Sequence, residues 1–191
     1  MEPIADKKKA IFESTLELVR ENGFHGTPMS MVARHAGVAA GTIYHYFESK
    51  DQLIKELFDY VQQQAIAIVE KEDCKTIPFK TCFLNLWFGL YTLYHDRPNV
   101  LKFFEQFVNS PYSTGRPPLE EDKFYAPLLL FFERGIADGE LQQVSPKILA
   151  MLAHSSIVST AKLAGSGIVQ LTPAELKQIP ELLWNGIKQT T

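Results

Sequence analysis

The 191-residue sequence is short of most features that would announce chemistry. It has only two cysteines, Cys74 and Cys82, too few for the dense disulfide framework of a small secreted domain. Their scarcity points to a reducing cytosol, with no redox role expected. There is no His-x-x-x-His, no clustered cysteine and no repeated acidic motif, so no metal site is expected. A GxxxxGK[ST] phosphate loop and an ordered Ser/His/Asp constellation are also missing, which argues against an enzyme and against a cofactor. The most apolar stretches, FLNLWFGLYTLY and APLLLFF, are too short or too polar at their flanks for a membrane span. The opening MEPIADKKKAIFESTLELVREN is broken by charge and lacks the composition of a secretory signal, so a cytoplasmic protein with no membrane partner is expected. Charge of one sign is not in excess either. The formal net charge is −3, and residues 1–50 carry six basic and six acidic side chains, which excludes a polycation that coats nucleic acid nonspecifically. A few local basic groups and helix N-termini can still meet phosphates.

What is present is helical periodicity, without the Val/Ile/Thr alternation of a sheet. Asp6 is placed to cap a first helix to about Asn22, with Ile11, Thr15, Leu18 and Val19 on one stripe. Thr27–Pro28 reads as an N-cap and first helical residue of a short helix ending near His35. Gly37 suits a tight turn, and Ala40–Phe47 forms another short helix. Two short helices so spaced have the geometry of a helix-turn-helix, although purely structural bundles also contain such pairs. Ser49 and Gln52 match a capping box opening a long fourth helix. Apolar spacing predicts a fifth over about 79–94, a sixth from Pro98, a seventh around Phe124–Phe131, an eighth from Ser145–Pro146, and a ninth capped by Thr172 and Glu175. NSPYSTGRPPLEED reads as a long loop, and Pro180 as a possible kink. The fold class is therefore all-α with about nine helices.

The run TPMSMVARHAGVAAGTIYHYFESKDQLIKEL, residues 27–57, resembles the tetracycline-repressor-like (TetR) family of transcriptional regulators. The resemblance is carried by the order of Thr27, Val32–Ala33, Ala36–Gly37–Val38, Gly41–Thr42, Tyr44, Tyr46–Phe47, Lys50 and Leu53. It implies a three-helix DNA-reading head, residues 1–48, and a ligand-binding and dimerisation body, residues 49–191. Ala39 departs from the pattern, which commonly has a capping Ser there, and loss of that cap costs about 0.5–2 kcal/mol.

Thr42, Tyr44 and His45 are the candidates for reaching base edges from the recognition helix. Thr27, Tyr46 and Lys50 match positions that the resemblance assigns to phosphate contact, although capping alone would explain Thr27. Gly41 permits either close approach or packing. Trp87, Phe88, Tyr91, Phe103, Phe104 and Phe107 are core residues by spacing; the resemblance makes them candidates to line an effector cavity, with polar handles at Asn85, Tyr91, Tyr94, Tyr125 and His154. Helices eight and nine are implied to meet those of a second copy, through Ile148, Leu152, Leu176, Ile179, Leu183 and Ile187, unless some of these close the monomer core. The expected partners are double-stranded operator DNA, a second copy of the chain and a small organic effector. The leading reading is a dimeric repressor released from a palindromic operator by a largely apolar ligand. The alternative is a ligand-binding or protein-interaction module that has lost specific operator reading.

Overall fold

The computed structural model of the chain describes residues 4–71, 74 and 76–190. These residues form nine α-helices and no strand: α1 Ile4–Asn22, α2 Met29–His35, α3 Ala40–Tyr46, α4 Lys50–Val69, α5 Phe79–Asp96, α6 Pro98–Val108, α7 Tyr125–Ala137, α8 Pro146–Gly165 and α9 Pro173–Ile187. A 3-10 turn spans Pro111–Ser113, and one isolated antiparallel bridge pairs Leu141 with Lys188. Two compact units result. The first contains the described chain up to Val61 together with Asn99–Gly115; the second contains Gln62–Pro98 and the chain from Arg116 onward. Where the sequence suggested a division at 48/49, compactness cuts inside α4 and returns α6 to the first unit.

The first unit explains why α6 belongs there. Its apolar face is aromatic: Phe107 stacks on Phe58 of α4 at 3.8 Å, and Phe103 meets Phe24 edge-on at 5.8 Å. Ile11, Leu16 and Val19 of α1, Ile43 and Phe47 around α3, and Leu57 of α4 are fully enclosed. Aromatic pairs of this kind add about 0.5–1.5 kcal/mol beyond the area they bury.

Several helix starts differ in detail from the sequence expectation. α1 begins at Ile4, so Asp6 lies in its first turn, where a carboxylate favours the positive end of the helix, and is not the N-cap. Pro28 is the N-cap of α2 and makes no side-chain cap. The Thr27 hydroxyl turns back instead and donates to the Gly23 carbonyl at 2.8 Å. Ala39 caps α3 without a side-chain hydrogen bond, as its methyl group requires. Gly37, at φ +67°, supplies the left-handed turn between α2 and α3. At α4, Ser49 Oγ accepts from the Gln52 amide at 3.2 Å, but the Gln52 side chain accepts from the Glu48 amide at 2.7 Å, one residue further out than in a capping box. The Thr172–Glu175 box of α9 is complete.

In the second unit α5 packs along α8 and α9, and α7 along α8. Phe83, Trp87, Leu90, Phe124, Leu128, Phe132 and Ile157 fill its core. Cys74 and Cys82 are joined by a disulfide, a pairing the sequence reading did not anticipate. Gly135 sits where α7 crosses the start of α5: a Cβ there would lie 2.7 Å from Leu141 Cδ1 and closer still to the Phe79 ring. Gly135→Ala is therefore expected to destabilise the protein by about 1–3 kcal/mol through overpacking. Thermal denaturation checks this, and an unchanged midpoint would contradict the close approach.

Candidate functional site

The polar surface of the helix-turn-helix is set by what α3 buries. Ile43 and Phe47 point inward and are wholly enclosed, the latter against Phe12 at 5.6 Å. Ile43 within α3 and Phe47 at its C-cap together fix the inward side of the helix. The opposite side then faces out. Tyr44 is 56% exposed, His45 is exposed, and Thr42 and Tyr46 are half-buried, with the His45 and Tyr46 rings 5.8 Å apart. Nothing lies within 4 Å of a Cβ placed on Gly41, so no packing inside the chain requires a glycine there. Thr42, Tyr44, His45 and Tyr46 are thus brought to one short helix.

Thr27 and Lys50 are placed differently. Thr27 is buried, with its hydroxyl held by Gly23. Lys50, the first residue of α4, donates from Nζ to the Phe24 carbonyl, and burial is the main cause lowering its pKa. From α6, Gln106 Nε2 donates to the Val19 carbonyl at 3.2 Å. Lys50 and Gln106, one from each side, thus hold the backbone that leaves α1. Beside this turn an open groove of about 340 Å³ is lined by Phe24, His25, Asp51, Lys55, Ser110, Pro111 and Tyr112.

The second unit assembles a buried polar cluster. His154 of α8 lies between two phenols: Tyr94 of α5 is 3.1 Å from Nε2, and Tyr125 of α7 is 3.0 Å from Nδ1. The Phe124 ring packs 4.9 Å from the imidazole. Burial holds the imidazole neutral, with its pKa pushed down to about 4, and raises both tyrosine pKa values. Next along α5, the Trp87 indole donates to Ser156 Oγ at 2.9 Å and stacks on Tyr91 at 5.6 Å. The sequence-predicted handles Tyr94, Tyr125 and His154 therefore come together. Asn85 is exposed, whereas Phe88 stays half-buried against Trp87. Phe103 and Phe107 are buried in the first unit, and Phe104 there lies 6.1 Å from Phe58, so none of these three is part of the cluster in the second.

Sequence reasoning missed the buried Asp122. Its carboxylate accepts from the Phe124 amide at 3.1 Å and the Tyr125 amide at 3.2 Å, from Gln62 Nε2 at 3.2 Å, and from Arg116 Nη2 at 2.5 Å. An Asp just ahead of a helical apolar run is the cap signal that could have found it. On α8, Ile148 and Leu152 are each 50% exposed, and Met151 and Leu163, which the sequence reading had not singled out, join them. On α9, Leu176, Ile179 and Leu183 are half-buried and Leu182 is exposed, while Ile187 is buried within its own chain.

Comparison with known proteins is consistent across the chain. Residues 11–57 match the model of bacterial regulatory proteins, tetR family, and residues 78–188 match that of the tetracyclin repressor-like C-terminal domain. An HTH-type transcriptional regulator of Haemophilus influenzae is 26% identical over 96% of this chain and 97% of its own length. A TetR family transcription regulator from Marinobacter aquaeolei superposes with a TM-score of 0.87 at 22% identity, covering 97% of each chain. The transcriptional regulator FadR from Bacillus subtilis, solved in complex with stearoyl-CoA, has a TM-score of 0.70 at 22% identity over 94% of this chain and 98% of that one.

The state of His154 has a measurable consequence. Folded, it takes up a proton near pH 4; its ordinary value is 6.5. Between those values the unfolded chain binds a proton that the folded chain does not, so stability falls as pH drops from 6.5 towards 4. In His154→Gln this contribution disappears, and the unfolding midpoint should fall less steeply over that window than in the wild type. Equal slopes in pH-resolved thermal unfolding would contradict the neutral, buried imidazole.

Proposed function

The chain belongs to the tetR family of bacterial regulatory proteins, transcriptional regulators with a DNA-binding helix-turn-helix, and from that premise we propose that it is a dimeric cytoplasmic repressor released from a palindromic operator by a small, largely apolar ligand. The observation that carries the reading is α3. A helix surface with Tyr44 and His45 exposed and Thr42 and Tyr46 half-buried at its flanks, backed by the enclosed Ile43 and Phe47, suits insertion into a major groove. Hydroxyl and imidazole groups at its tip can meet base edges, while Tyr46 serves the backbone. Lys50 is engaged by the Phe24 carbonyl but retains other ammonium protons for a phosphate. Thr27, with its hydroxyl turned inward, is left out of the proposed contact set.

A second copy accounts for the apolar surface of α8 and α9. The helix Pro146–Gly165 is long and apolar enough, by length and composition, to cross a membrane. In a DNA-binding regulator, its exposed Ile148, Met151 and Leu152, with Leu182 of α9, are better explained by a partner chain. The effector reading rests on the chemistry of the second unit: the aromatic rings of Trp87, Tyr91 and Phe124, beside directional polar groups at Tyr94, Tyr125 and His154, suit an apolar ligand with one polar end, for which these packed side chains would have to part. That the same fold accommodates stearoyl-CoA in the Bacillus subtilis regulator supports a ligand of this kind. Differential affinity of that ligand for a conformation with another head spacing would release the operator without chemistry.

Two experiments test these assignments. Leu152→Asp, at an exposed position, should keep the fold and shift the sedimenting mass from dimer to monomer; a wild type that is monomeric at micromolar concentration would sink the dimer. For the head, duplexes enriched from a random pool supply an operator, and Gly41→Ala and Tyr44→Phe are then compared with wild type. Gly41→Ala should stabilise the free protein by up to about 0.5–1 kcal/mol, because helical glycine is entropically costly and its surroundings are open, yet weaken operator binding by crowding the groove. Tyr44→Phe should change preference at one or a few base pairs. Failure to enrich any sequence would favour the module that no longer reads an operator.

A further inference from the structure

Cys74 and Cys82 are the only cysteines in the chain. They are joined eight residues apart with Cα atoms 5.7 Å from each other, within the usual range for a disulfide. The bond lies at a mechanically sensitive place. It ties the connection that follows α4 to the first turn of α5, and α4 is the helix that begins beside the DNA-reading segment and runs unbroken to Val69. α4 is 20 residues, about 30 Å, long, and its last residue, Val69, stands five positions before Cys74 in the sequence. The two residues differ in exposure: Cys82 is fully buried and Cys74 half-buried.

We propose that Cys74 and Cys82 form a reversible thiol-oxidation site through which a hydroperoxide changes the operator affinity of this regulator. In a reducing cytosol the pair rests as two thiols. Cys74, the less buried of the two, ionises and its thiolate attacks one oxygen of hydrogen peroxide; the O–O bond breaks, the departing hydroxide takes up the proton lost on ionisation and leaves as water, and Cys74 becomes a sulfenic acid. The Cys82 sulfur then attacks the Cys74 sulfur, the S–S bond forms, the S–O bond breaks, and the departing hydroxide takes the Cys82 proton as a second water. Two thiols have lost two electrons and one peroxide has gained them. A thiol reductant reverses the step by exchange at the Cys74 sulfur. Closing the bond fixes Cys74 to the first turn of α5, and the proposed route to the operator runs from there along the chain to α4. The DNA consequence rests on the reading of the chain as an operator-binding regulator; the thiol chemistry does not.

The full-length protein is reduced, desalted and treated with hydrogen peroxide, and free thiols are counted by alkylation and mass spectrometry. The operator is the duplex enriched from a random pool by each form in turn, and affinity is read by fluorescence anisotropy. The expected result is loss of both alkylation sites with a mass decrease of two hydrogens, and an affinity change of at least about fivefold, the low end of coupling between sites, that dithiothreitol reverses. The partly exposed Cys74→Ser, checked for helicity by circular dichroism, should bind DNA like the reduced wild type and ignore peroxide. Three results overturn the proposal: oxidation that stops at sulfinic acid without a disulfide, a disulfide with a smaller affinity change, or an equal peroxide response in Cys74→Ser. If neither form enriches a sequence, the operator reading and its redox control fall together, an outcome told apart from failure of the switch because the thiol counts are read without DNA.

Discussion

The backbone that leaves α1 presents carbonyls that the helix itself cannot fully satisfy, and the way they are answered organises the first unit. The Val19 carbonyl takes the Gly23 amide and Gln106 Nε2. The Gly23 carbonyl takes the Thr27 hydroxyl, and the Phe24 carbonyl takes the Thr27 amide and Lys50 Nζ. The donors come from α6, from the turn itself and from the start of α4. Each such hydrogen bond contributes about 0.5–1.5 kcal/mol net, so the orientation of α2 and α3 is tied to helices distant in sequence. The same constraint decides why Thr27 points inward, why part of the Lys50 ammonium is already engaged, and why α6 packs with the head.

Much of this was legible in the sequence and some of it was not, for identifiable reasons. The nine helices follow from apolar spacing, and the helix-turn-helix from a motif in which Gly37 supplies a backbone angle that few residues adopt. The family followed from that motif. Cap positions were read less accurately: Thr27 and Pro28 form the right pair of residue types, but the hydroxyl found a nearer carbonyl. The Gln52 side chain likewise reached Glu48 where a capping box needs Ser49. Periodicity says that Phe103 and Phe107 are buried but not against what, and they face Phe24 and Phe58. The Cys74–Cys82 bond was illegible because spacing gives no Cα separation.

In the second unit the balance of protons is informative. A neutral imidazole offers one donor and one acceptor, and two phenols add a proton each. Tyr94, His154 and Tyr125 therefore carry three protons across two short gaps, and one phenolic proton must be directed outside the trio. Tyr94 is the more deeply buried, so the lower-cost arrangement has it donate to Nε2, leaving Tyr125 to accept from Nδ1–H and turn its own proton outward. Under the proposed effector reading, that donor would be complementary to a carbonyl or carboxylate oxygen on an otherwise apolar ligand. Asp122 fixes the start of α7, and with it Tyr125, by accepting the Phe124 and Tyr125 amides.

The charge balance bears on how such a head could discriminate. With equal numbers of acidic and basic side chains over residues 1–50, the sequence-independent attraction to phosphate that a strongly basic module enjoys is weak. Under the proposed reading, affinity then comes from a few directed contacts made by α3, which is only seven residues long, and by Lys50 at the start of α4. A single head with so small a footprint binds weakly; two heads held on one body make the second contact intramolecular and multiply the first. Under the proposed arrangement the apolar surface of α8 and α9 is therefore not separate from DNA recognition. By joining two near-neutral heads it supplies the affinity that their charge does not, and it makes head spacing, the quantity a ligand in the second unit would alter, the control on binding.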